Sequence, residues 1–274
     1  MREELGIEYG TGGQRALELD LLAPDVSPGK NRPAVVYVHG GGWAGGERSW
    51  NPNRILAESG FVTVSVSYRF TSEAIFPAQI HDVKAAIRWV RANADAYGID
   101  PARVGIWGHS AGAHLAALAA VTAGVPELEG EGGNPEQDSS IQAVVPIAAP
   151  VDFLVDWYAV QQVPLSDDIA GLSDALLGGP PARRMDLARL ASPLWHVGPD
   201  SPPHLLIHGE EDDVVPIAQA RAYVAALRHM GQPRAELIAL PGVGHMSDEA
   251  LYPGNPDPLK LKDRVIEFFR EHLA

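Results

Sequence analysis

The chain has 274 residues, enough for a large core and, in α/β proteins, often for one domain. Its net charge of −14, from 35 acidic against 21 basic residues with no offsetting basic cluster, argues against nucleic acid as a partner and for a neutral or cationic substrate. No apolar run approaches the roughly 18 to 20 residues of a membrane-spanning helix, which argues against a membrane partner, and the lack of cysteine excludes disulfides, thiolate metal sites and a cysteine nucleophile.

In chain order, the segment Met1 to Gly13 carries Arg2, Glu3 and Glu4 and no apolar stretch of the signal-peptide type. The expectation is a cytoplasmic chain, or a secreted one if a leader has been removed. Leu17 to Leu22 alternates as an edge strand does, and Ala34 to Val38 is a continuous β-favouring run of the doubly buried kind. Phe61 to Val66 predicts a further strand. After Pro77 a helix is predicted from Ile80, Val83, Ile87 and Val90, with Gly98 as its stop. A strand at Val104 to Trp107 leads into an Ala/Leu-rich helix from about Ala111 to Ala123. Strands follow at Ala143 to Ile147, Leu205 to Ile207 and Glu236 to Leu240, with helices near Ile217 to Met230 and Leu259 to His272. Such alternation predicts an α/β protein with a mostly parallel central sheet and helices on both faces. Gly124 to Ser140 has loop composition. Residues 153–203, with several prolines and one or two short helical pieces, read as a lid-like insertion in a single domain spanning 1–274.

Gly108-His109-Ser110-Ala111-Gly112 falls between a predicted strand and a predicted helix, the context in which a tight turn exposes a serine hydroxyl. The plain alternative is a glycine-rich turn with an incidental serine. His39-Gly40-Gly41-Gly42-Trp43 ends an earlier strand, and the amides of Gly41 and Gly42, with that of Ala111, form a candidate oxyanion hole. Gly40, Gly42 and Gly45 also fit a dinucleotide-binding spacing. That reading wants an acidic residue after the next strand, where Ser67-Tyr68-Arg69-Phe70 stands instead.

A serine hydroxyl needs an imidazole to take its proton, and the imidazole needs a carboxylate to hold its tautomer. His245 follows the Glu236 to Leu240 strand, and Asp212 follows the Leu205 to Ile207 strand, giving the chain order Ser, Asp, His. Asp213 is positioned almost equally well, with Glu210, Glu211 and Asp152 as further competitors. His39 reads as a structural hydrogen-bonder, and His109 and His114 as packing or pocket-lining groups. No metal-ligand spacing appears, and neither a metal nor a cofactor is expected. Trp43, Trp157, Tyr158 and Trp195 are candidates for an aromatic pocket lining, against the ordinary alternative of core packing.

The same motifs, together with Ser67-Tyr68-Arg69, Phe76-Pro77-Ala78-Gln79, Asp82 to Trp89, Tyr97 to Pro101, Ala191-Ser192-Pro193 and Pro202-Pro203, resemble the bacterial esterase/lipase branch of the α/β-hydrolases, with its feruloyl-esterase-like and carboxylesterase members. The resemblance implies an α/β-hydrolase fold with eight strands, of which seven are read above. In its pattern H-G-x-x-D-x-x-V-P the acid falls on Asp212. Ala113 departs from the third glycine many relatives carry there. The resemblance further implies hydrolysis of short-chain or aromatic carboxylic esters through Ser110, His245 and Asp212 and an acyl-enzyme. An amidase, exopeptidase or arylformamidase on the same scaffold, or a catalytically silent ligand-binding relative, are the alternatives.

Overall fold

In the computed structural model, which describes residues 1–25, 31–246 and 248–274, eight strands join in one sheet. They are β1 (Arg2–Gly12), β2 (Arg15–Ala23), β3 (Arg32–Val38), β4 (Val62–Val66), β5 (Ile99–His109), β6 (Ala143–Ile147), β7 (His204–Gly209) and β8 (Ala235–Leu240), in the order β1-β2-β4-β3-β5-β6-β7-β8. The pairs β1/β2 and β2/β4 are antiparallel, and all others are parallel.

The continuous apolar runs have the physical cause expected of parallel strands, since both faces are covered. Along β3, Ala34, Val36 and Val38 enter one apolar cluster while Val35 and Tyr37 enter another on the opposite face. Helices α1 (Arg54–Glu58), α2 (Ala78–Ala92), α3 (Ala94–Tyr97), α4 (Ala111–Val121) and α5 (Pro126–Glu129) lie in the first half of the chain. The second half adds α6 (Trp157–Gln161), α7 (Asp167–Leu177), α8 (Met185–Ala191), α9 (Ala218–His229) and α10 (Leu261–His272). Helices α2 and α4 cover the first face, and α10 packs Val265, Phe268 and Phe269 on the second. Among the described residues no helix is long and apolar enough to cross a membrane.

Four expectations need correction. The Leu17 to Leu22 segment is not at the sheet edge. β1 lies outside it, and its pattern is obscured by glycines, bulges at Glu4/Ile7 and Glu8/Gly10, and an almost wholly exposed outer face. Gly98, left-handed at φ 64°, stops α3 rather than α2, which already ends at Asn93. The Gly124 to Ser140 stretch contains α5 and is held by cations of α2: Lys84 Nζ reaches Thr122 O at 2.6 Å and Glu129 Oε1 at 2.8 Å, and Arg91 donates to the carbonyls of Asp138 and Ser140. Finally, residues 153–203 hold more than one or two helical pieces: α6, α7 and α8, a short helical turn at Pro181–Arg183 between α7 and α8, and another at Pro193–His196 after α8.

Candidate active site

Strand β5 runs directly into α4 through Ser110, whose backbone sits at φ 55° and ψ −121°, a conformation L-residues adopt only under constraint. The constraint is close packing. A Cβ on Gly108 would lie 2.5 Å from Val38 O, and one on Gly112 only 2.0 Å from the same atom, so strand and helix meet β3 at distances only glycine permits. The Ser110 amide donates to Ile147 O at 2.9 Å, which ties the turn to β6.

Asp212 and His245 arrive from the loops after β7 and β8. Ser110 Oγ lies 2.9 Å from His245 Nε2, and His245 Nδ1 lies 2.9 Å from Asp212 Oδ2 and 3.1 Å from Oδ1. An ionised carboxylate only accepts hydrogen bonds, so Nδ1 carries the proton and Nε2 is left to accept from the serine. Asp212 is fully buried. Burial opposes its ionisation, but His208, His245 and the Val215 amide outweigh that cost and hold its carboxyl well below the usual carboxylate range. The amides of Val214 and Val215 donate to its Oδ1 at 2.9 and 2.8 Å, and His208 Nε2 stands 3.2 Å from Oδ2. The competing acids lie elsewhere. Asp213, Glu210 and Glu211 are exposed, with Glu210 paired to Arg221, and Asp152 contacts indoles rather than His245.

The Gly40 to Trp43 turn lies against this elbow: a Cβ on Gly40 would stand 3.4 Å from Ser110 Cβ. Gly41 (φ 112°) and Gly42 (φ 59°) occupy backbone space that favours glycine, and Gly41 O accepts from the Ala44 and Gly45 amides. The amides of Gly41, Gly42 and Ala111 have no acceptor among the described residues, as an anion-binding set requires.

Beside Ser110 opens a cavity of about 530 Å³ between the sheet edge and residues 153–203. Trp43, Trp157 and Tyr158 line it with Phe153, Leu172 and Asp152. His109 and Trp195, also expected there, do not. His109 is turned behind His245, its Nε2 2.9 Å from His245 O, and Trp195, 48% exposed, directs only its Nε1 to Asp152 Oδ1 at 3.1 Å. His114 lies wholly buried beneath Trp43, whose Nε1 donates to its Nδ1 at 3.1 Å. His208 and Asp248 were not singled out from sequence. His208 offered a signal in its spacing of four from Asp212, whereas Asp248 follows an irregular loop and offered none.

The fold and this serine, imidazole and carboxylate arrangement define an α/β-hydrolase. The BD-FAE family model matches residues 19–227, most of the chain, and the protein belongs to that family of α/β-hydrolase esterases. The match includes Ser110 and Asp212 and stops short of His245. Esterase LipQ of Mycobacterium tuberculosis is 37% identical over 253 residues, 89% of this chain and 57% of LipQ. This chain thus spans little more than half the length of such curated relatives. A truncated carbohydrate esterase from gut microbiota superposes with a TM-score of 0.83 at 31% identity, covering 99% of this chain and 96% of the other. Thermogutta terrifontis esterase 2, phosphoramylated by tabun, superposes with a TM-score of 0.80 at 27% identity, covering 99% and 96%.

Proposed function

We propose that the protein is a serine carboxylesterase acting on short-chain or aromatic carboxylic esters. The observation that carries the reading is the unbroken hydrogen-bonded line from Ser110 Oγ through His245 to the buried Asp212, at the mouth of an apolar cavity. His245 Nε2 takes the Ser110 proton as Oγ attacks the ester carbonyl carbon. The oxyanion is received by the amides of Gly41, Gly42 and Ala111, and Asp212 stabilises the imidazolium. Collapse breaks the bond to the alcohol, which leaves with the proton from His245. Water, deprotonated by His245, then attacks the acyl carbon and releases the acid and Ser110. No step calls for a metal or cofactor.

The aromatic lining from Trp43, Phe153, Trp157 and Tyr158 supports an acyl or alcohol group with apolar surface. The esterase names of the relatives and the tabun adduct of a structural neighbour support ester hydrolysis by a serine. The test is release of p-nitrophenol from acetate, butyrate, octanoate and dodecanoate esters, beside methyl ferulate and acetylated xylan, by wild type and Ser110→Ala. Turnover by wild type and its loss in the variant are expected. Full activity of the purified variant overturns the reading, and inertness toward every ester moves it to amide hydrolysis or ligand binding.

A further inference from the structure

The cavity beside Ser110 carries charge of one sign. Asp152, Asp156 and Asp174 line it, and no Lys, Arg or His does among the described residues. Asp152 is the decisive one. It is 3% exposed, in the loop that follows β6, and a carboxylate so buried ordinarily has a cation beside it. Here its contacts are neutral: Oδ1 accepts from the Leu154 amide at 3.0 Å and the Trp195 indole at 3.1 Å, and Oδ2 accepts from the Trp157 indole at 3.2 Å. No basic group stands within ion-pair distance among the described residues. Arg189 lies over the Trp195 ring at 5.2 Å and does not line the cavity.

These three donors explain why an acid and not its amide occupies the position, since two indoles on separate oxygens need an acceptor at both. They leave the charge uncompensated and one acceptor site free on Oδ2. The carboxylate of the half-buried Asp174 makes no hydrogen bond or ion pair with the described residues, and Asp156 adds a third negative charge nearer solvent. The rings of Trp43, Phe153, Trp157 and Tyr158 line the same space, and π-faces attract cations as well as apolar groups. With a chain charge of −14 behind it, the cavity sits in a field that draws cations and repels anions.

We propose that this cavity selects esters bearing a protonated amine, with Asp152 as the specificity-determining anion, and rejects esters bearing a carboxylate. The proposal rests on the esterase reading for its chemistry but not for its recognition, so it is tested first by binding. Hexylammonium and heptanoate, matched in length and opposite in charge, are titrated into the protein by calorimetry. Wild type is expected to prefer the cation at least about tenfold. Asp174→Asn is expected to reduce that ratio several-fold. An amide at position 152 would face the Trp157 N–H, so Asp152→Asn is made together with Trp157→Phe and compared with Trp157→Phe alone, and the ratio is expected to fall further. Equal affinity for the two ions, or a ratio indifferent to both acids, overturns the proposal.

Turnover of the p-nitrophenyl esters of ε-aminocaproic, heptanoic and pimelic acid then separates the two readings. Hydrolysis of all three at similar kcat/KM sinks the charge selection and leaves the esterase. Preferential binding of hexylammonium with no ester turned over keeps the cation site and removes the esterase.

Discussion

His109 Nε2 donates to the main-chain carbonyl oxygen of His245 at 2.9 Å, so the residue beside the nucleophile holds the loop that carries its base. A carbonyl only accepts, which fixes the proton on Nε2. Burial lowers the His109 pKa while the charge of Asp248 raises it, and the net direction is downward, so the ring stays neutral when the site is at work. Asp248, 2% exposed, stands 3.6 Å from the same nitrogen, its Oδ1 having no hydrogen-bond partner among the described residues.

His109→Ala is therefore expected to lower kcat by about tenfold, the value of one buried hydrogen bond that aligns a reacting group, with little change in KM. His109→Gln presents an amide N–H at a similar reach and is expected to recover most of the loss. A fall in KM-dependent binding instead, or no rescue by Gln, would assign His109 to packing alone.

Asp212→Asn is expected to fold and to lose about a thousandfold or more of kcat, by analogy with other serine triads. The amide can still accept from Val214 and Val215 through its oxygen. Its NH₂ would meet His245 Nδ1, favouring the tautomer in which Nε2 carries the proton and can no longer take one from Ser110. Steady-state kinetics beside circular dichroism checks both halves. Retained activity would mean that His245 is oriented by something other than this carboxylate.

Two glycines give opposite expectations for stability. Gly112→Ala places a methyl 2.0 Å from Val38 O, backbone that cannot yield, and is expected to cost more than about 3 kcal/mol or to prevent soluble expression. Gly171, inside α7, has nothing within 4 Å of its missing Cβ, so Gly171→Ala is expected to stabilise by about 0.5 to 1 kcal/mol. Urea unfolding of the two variants measures both signs.

The parts legible in the sequence were those dictated by local physics. Buried parallel strands such as Ala34 to Val38 leave continuous apolar runs, and Gly108 to Gly112 is constrained within five residues by close packing. Long-range contacts were less legible. The strand β1 owes its place to pairing with β2 rather than to burial, since Tyr9 and Gly12 alone in it are buried. Trp195 and Trp157 are the same residue type eight-and-thirty positions apart in chain and converge on one carboxylate, yet only Trp157 faces the cavity. Nothing in composition separates a tryptophan that lines a pocket from one whose ring lies outside it.

Acid sensitivity follows from two neutral buried histidines. His114 donates from Nε2 to Ala191 O at 2.7 Å and accepts from Trp43 at Nδ1, while His204 donates from Nδ1 to Pro202 O at 2.7 Å and has Tyr223 Oη at 3.2 Å from Nε2. Protonating His114 would set its Nδ1–H against the Trp43 indole N–H, and for both rings burial opposes the charge and pushes the pKa down to about 4 from 6.5. As the pH falls below 6.5 the unfolded chain takes up these protons and the folded protein does not, so folding loses free energy until the pH reaches about 4. Going from pH 7 to pH 5 is expected to cost about 2 kcal/mol for each histidine. Asp212 acts lower still: its depressed pKa stabilises the fold above the usual carboxylate range, and that contribution is lost only in stronger acid. Urea unfolding from pH 7 to 5 measures the loss, and His204→Asn, which keeps a donor toward Pro202 O but cannot titrate, is expected to make the dependence shallower. An unfolding free energy that is flat across this range would mean that the two rings do not remain neutral in the folded protein.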